Sequence, residues 1–352
     1  MTLYSSKGGV ETYYFHYTSH SDIPVEAICW NEGEEDQPIE IPSTTDDTTN
    51  TTNYLVDQAR ELIKNFEGDT PKWLTALGGP GIVVAILSSM LDHAPNVRYV
   101  ASAICACKSI SQLALAWFAY FLWPFKALNW YYYSTREEEW LYSDLRQQLL
   151  RQQDYHCPIT GMVELGQPML SSKWTGTLGI FHILQRPRIF DSRRNRQIDF
   201  FGPITREIIQ NYIGTGMDLD SVPRDDPSNA VVLELNTCSH LRDFRMSLKA
   251  TGNSNEYAVE RYRECLCPVF INDIIVFKEG IPPDPRYLHL HACVADVLQR
   301  SGAGNVIDKI LGCLPYRTRH PEDLQGVLTT LGLRYLLITA LQLPQIDFCV
   351  LV

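Results

Sequence analysis

The sequence predicts an α+β fold, mostly helical, with a strand-bearing module set between helices. Apolar residues recur at spacings of three and four from Tyr54 to Ala127 and again from Pro283 to Leu311. Between those stretches lie short apolar runs of strand character, LGIFHIL and AVVLEL. With 352 residues, 45% of them apolar, the chain can bury a large core, as one big domain or as two that share an interface.

Taken in order, Leu3 to Ile41 holds the alternating runs VETYYFHY and PVEAICW, which suit a few strands. Ser43 to Asn53, STTDDTTNTTN, is polar and low in complexity and reads as a surface loop or linker. YLVDQARELIKNF opens the helical part. A Gly/Pro break follows, then IVVAILSSML, then a long apolar helix closing at WPFKA, where Pro124 ends or kinks it. STREEEWLYSDLRQQLLRQQ reads as an amphipathic helix with Ser134 or Thr135 as its cap and acidic residues in the first turn. Ile204 to Gly214 is a helix stopped by its glycine. Past the module, two helices break at GAG, DLQGVLTTLGLRYLLITALQL is a further helix, and IDFCVLV suits a closing strand. The regions are therefore 1–53 (strands and polar linker), 54–140 (helical), 141–263 (the module) and 264–352 (helical), with no internal repeat.

The formal charge of −11 is uneven: 8 Lys+Arg against 18 Asp+Glu over Met1–Trp140, 15 against 14 over Leu141–Arg263, and 7 against 9 over Glu264–Val352. Those segments carry −10, +1 and −2, so overall acidity says little about what the near-neutral module binds. MTLYSSKGGVETYYF lacks the basic start and apolar stretch of a signal peptide, which places the expected compartment in the cytoplasm, with the nucleus open, and the ten cysteines as reduced thiols. Their spacing gives C-x-C pairs at Cys105/Cys107 and Cys265/Cys267 and no pair of C-x-x-C knuckles, which argues against a structural zinc. The uncharged runs Trp73–Leu91 and Ser109–Phe125 are broken by Gly, Pro, Ser and Gln, and a spanning helix wants about 20 apolar residues, so both read as buried helices, with peripheral membrane contact left open. NWYYYS together with Trp117, Trp123 and Trp140 reads as core, and a pocket between the helical part and the module would suit an apolar small molecule.

The chemistry-bearing motifs fall between Arg151 and Lys249: RQQDYHCPITG, FHIL, and DDPSNAVVLELNTCSHLRDFRMSLK. This order of turn, histidine, asparagine and then Cys and His resembles the HNH nuclease-like proteins of fungi, a ββα-metal family. The resemblance covers Leu113 to Leu311. LAWFAYFLWPFKA, DYHCPITG, DPSNA (Asp226–Ala230) and the phrase from Pro283 to Leu311 are each similar to a phrase of that family. It implies an embedded ββα-metal module in which His182 deprotonates water, Asn229 fixes the loop, and a residue on the following helix holds one divalent ion, Mg²⁺ or another. In the family the metal-binding His stands nine residues after the Asn, and the Phe of a DFR-like phrase stands fifteen after. Phe244 keeps its place, but the ninth position is Cys238. His240 lies two residues on, rotated by about 200° on a helix. Either the helix shifts to bring His240 inward or Cys238 has replaced the ligand, and ungapped counting favours replacement. The bulky Phe181 before His182 is a second departure.

Three function classes follow. The first is a divergent enzyme with a rebuilt pocket, acting on a small metabolite by acid/base or thiol chemistry, with His182 and Cys238 as partners and Asn229 completing the site. The second is a divalent-metal-dependent endonuclease with His182 as base and His240 as metal ligand. The third is a non-catalytic binding protein on the same fold. The run QRPRIFDSRRNR places Arg186, Arg188, Arg193, Arg194 and Arg196 within eleven residues, either as a solvated loop or as a grip on phosphate oxygens. The altered ligand position puts a small-molecule substrate ahead of nucleic acid. No cofactor is assigned beyond a possible divalent ion.

Overall fold

A computed structural model describes residues 45–68, 75, 78–79, 81–127, 144–167, 174–185, 189–191, 196–198, 203–214, 217, 219–222, 226–262, 272–278 and 282–312. All of them belong to the unit Ser43–Ile346. The fold is α+β and mostly helical. The expected strands before Ile41, the capping residues Ser134 and Thr135, and the C-terminal helix and strand lie outside the described residues.

Helix α1 (Thr45–Lys64) buries Val56, Ala59 and Ile63, one stripe at three- and four-residue spacing, against α3 (Val97–Ala106). It begins nine residues before Tyr54, so Thr45–Asn53 is helical and not the loop that its composition suggests. Nucleation is the costly step, and an amphipathic segment already held by packing extends outward without incurring it again. Helix α2 (Ile82–His93) follows Gly81, whose φ of 84° a side chain would resist, and buries residues nearly all round it. Asn96 caps α3 by accepting from the Tyr99 N–H at 3.3 Å. Its amide donates to the Asn211 carbonyl at 2.8 Å, which ties α3 to the end of α6 (Pro203–Ile213). Gly214, at φ 70°, closes α6 as its sequence position predicts.

Helix α4 (Ile110–Trp117) passes into a π turn, Phe118–Leu122, and helical backbone continues over 123–127. Pro124 therefore does not end the helix. The Trp123 N–H reaches the carbonyl of Phe118, five residues back, and the wider turn accommodates a proline that has no N–H of its own to give. Trp117 and Trp123 are fully buried, as core tryptophans should be. No helix among the described residues is long and apolar enough to cross a membrane.

Helix α5 (Asp144–Gln152) leads to a parallel pair, β1 (Val163–Glu164) with β2 (Thr175–Gly176). Strand β3 (Leu178–His182) pairs antiparallel with β6 (Ala230–Glu234), and β4 (Ile189–Asp191) pairs antiparallel with β5 (Arg196–Ile198). Helix α7 (Leu235–Arg242) starts directly after β6 and packs on both strands of the β3/β6 pair. A three-stranded antiparallel sheet follows, β7 (Met246–Ala250), β8 (Glu256–Arg261) and β9 (Ile274–Val276). The alternation of Met246 with Leu248 and of Tyr257 with Val259 around TGNSN is its sequence signal.

Helix α8 (Pro285–Arg300), capped by Asp284, and α9 (Ala303–Gly312) break at Gly302, φ 77°, where GAG predicts the break. Asp296, buried in α8, accepts from Lys249 Nζ, the Tyr262 hydroxyl and Arg300 Nε, each at 3.0 Å. This bonding fastens the helix to the sheet, because a buried carboxylate is tolerated only when paired.

Candidate functional site

The strands that carry the motif residues form a two-stranded ribbon, which alone would be marginal in water. Its register, His182 opposite Ala230 and Ile180 opposite Val232, points the backbone groups of Leu178 and Val232 outward. Side chains meet both. The Gln153 amide accepts from the Val232 N–H at 2.9 Å and donates to its carbonyl at 2.7 Å, mimicking a third strand. Glu164 accepts from the Leu178 N–H at 2.8 Å, while Arg146 donates to the Leu178 carbonyl at 2.8 Å and pairs with Glu164 at 2.8 Å. Beyond the end of β3, fully buried Asn229 accepts from the Leu184 N–H at 2.9 Å and donates to the Leu184 carbonyl at 3.0 Å. The asparagine thus fixes the two residues that follow His182. His182 itself is the last residue of β3 and is partly buried.

Helix α7 turns Cys238 toward the strands and places half-buried His240 on another of its faces. The Cys238 thiol lies against the backbone carbonyls of Gly179 at 3.4 Å and Leu233 at 3.5 Å. Gly179 is three residues up the strand from His182, about 10 Å away. Arg242, one turn beyond Cys238, lines a recess together with Phe181, and successive side chains of a strand point to opposite faces, so His182 is directed away from that side. Burial pushes the Cys238 thiol up to about 12. A thiol that donates to two carbonyls in an apolar setting is a packing group. Iodoacetamide is therefore expected to alkylate native Cys238 at pH 7.5 more than about a thousandfold slower than an ordinary free thiol, read by mass spectrometry of the peptide. Labelling at the ordinary rate would contradict the burial. His240 is held below the usual imidazole range by burial and by the neighbouring Arg245 charge.

A second cluster gathers four phrases that the sequence scatters. Phe125, from WPFKA, meets Phe244, from DFR, edge to face at 6.4 Å. Phe244 stacks on His291 at 4.7 Å, and Phe181 meets the same imidazole edge-on at 5.5 Å. Phe244 sits at φ 57°, where its N–H reaches the Leu241 carbonyl and the Arg245 N–H reaches that of His240, the bonding of a Schellman cap that glycine usually fills. The left-handed backbone costs roughly 1–2 kcal/mol. Two aromatic contacts of about 0.5–1.5 kcal/mol each offset it. Beside them buried Lys126 donates to the Asp243 carbonyl at 3.1 Å and pairs with Asp308 at 3.1 Å. His291 donates through Nε2 to the Leu241 carbonyl at 2.9 Å, and burial pushes it down to about 4, so it is neutral. Phe125, Phe181, Ile183, Gln185, Arg242, Phe244 and His291 enclose the small recess, which lies between helical part and module but is far smaller than a pocket for a whole metabolite.

Of the sequence-predicted residues, the structure brings His182 and Asn229 to one end of the ribbon and sets Cys238 further along it. Arg186, Arg188, Arg193 and Arg194 lie outside the described residues, and Arg196 begins β5 opposite Asp191. Sequence reasoning missed Gln153, Arg146, Glu164, Lys126, Gln185 and His291. Lys126 and His291 stood inside the phrases that carried the resemblance, and Gln153 and Gln185 inside the quoted runs RQQDYHCPITG and QRPRIFDSRRNR; Arg146 and Glu164 had no local signal. The described fold and geometry define an α+β protein with a side-chain-clamped strand pair and a helix packed on it. No family model matches the chain, and neither does any curated protein or solved structure.

Proposed function

We propose that this protein is a divergent enzyme on a ββα, HNH-type scaffold, acting on a small metabolite by acid/base chemistry at His182. The observation that carries the reading is the Asn229 clamp: a fully buried amide spends both its donor and its acceptor on the backbone just beyond His182. General acid/base catalysis needs an imidazole held in place, and a partly buried histidine at a pinned strand end meets that need. Cys238 is assigned a packing role, because its proton is committed to carbonyls and its thiol stays neutral.

The described side chains do not fit the divalent cation of the endonuclease reading. The helix position facing the strands carries a neutral thiol, His240 lies on a different face, and among the described residues no group of three His, Cys, Asp or Glu could hold a metal ion. Acid/base chemistry at His182 does not depend on that ligand set.

The test uses the full chain, chromogenic carboxylic and phosphoric esters, and supercoiled plasmid with Mg²⁺, Mn²⁺ or EDTA. His182→Ala is expected to lower ester turnover by about 10²- to 10⁴-fold, while Cys238→Ala leaves it nearly unchanged. Metal-dependent nicking lost in His182→Ala would instead establish the endonuclease. Turnover indifferent to His182 would overturn the acid/base role assigned to it, and no turnover on either substrate class would favour the binding protein.

A further inference from the structure

We draw no further inference here: the strongest candidate, the edge strand β9 of the three-stranded sheet, which leaves Ile274 55% and Val276 60% exposed, is an unpartnered apolar edge of three residues, and nothing in the structure shows what covers it.

Discussion

Asn229→Leu is expected to lower the unfolding free energy by about 4 kcal/mol, because two buried backbone groups of Leu184 lose their partners together. Leucine matches asparagine closely in size, so the loss is one of hydrogen bonding and not of volume. An unmade bond to a buried group costs about 1–3 kcal/mol, and no solvent reaches Leu184, which is 4% exposed, to replace it. Urea unfolding gives the total. Amide exchange gives the location, since the Leu184 N–H should lose protection more than the amides of α8, far along the chain. Asn229→Asp separates the two bonds: a carboxyl still accepts from the Leu184 N–H but, when ionised, gives nothing to the carbonyl and is itself a buried charge. If Asn229→Leu unfolds within about 1 kcal/mol of wild type, the clamp does not hold the strand end, and the argument for a positioned His182 loses its support.

How much of this was visible beforehand depends on the range of the interaction. Gly214 and Gly302 announce helix ends because the left-handed backbone they adopt is a property of one residue. The apolar faces of α2 and α8 announce helices because 3.6-residue periodicity is local. Gln153 shows no such mark. An amide becomes a strand mimic only when Val232 is turned outward, and that is settled by pairing with Ile180, far away in sequence. Arg146 and Glu164 act on Leu178 for the same reason. At the candidate site, counting from Asn229 expects Cys238 and not His240 on the inward face of α7, and the thiol lies against the Gly179 carbonyl. Counting could not place the sulfur along the strand, because a helix position fixes a direction and says nothing about which residue of the neighbouring strand it meets. The polar stretch Thr45–Asn53 misled in the opposite sense: low complexity describes composition, while the packed segment after it decides conformation.

Acid should destabilise the protein through His291 well before the carboxylates are fully protonated. Burial holds the folded-state imidazole near 4, whereas the unfolded chain titrates at its ordinary 6.5. Above that ordinary value the ring is neutral in both states and the group adds no dependence on pH. As the pH falls below it, the unfolded chain takes up a proton that the folded core refuses, so unfolding becomes easier with each step down. The loss is complete once the folded pKa is passed, and the interval corresponds to about 3 kcal/mol. Urea midpoints between pH 7.5 and 4.5 should therefore fall more steeply for wild type than for His291→Gln, whose amide can still donate to the Leu241 carbonyl but does not titrate. The slope is the readout and not the absolute stability, since glutamine packs less well between Phe181 and Phe244. Carboxylates held low in the native state, such as Asp284 beside Arg286, pull in the same direction but are common to both proteins and cancel in the comparison. Identical slopes would mean that His291 takes its proton in the folded state, which would require the ring to have water around it. Phe244 stacked on the ring and Phe181 in edge contact with it keep the imidazole buried in apolar surroundings, which disfavour its charged form.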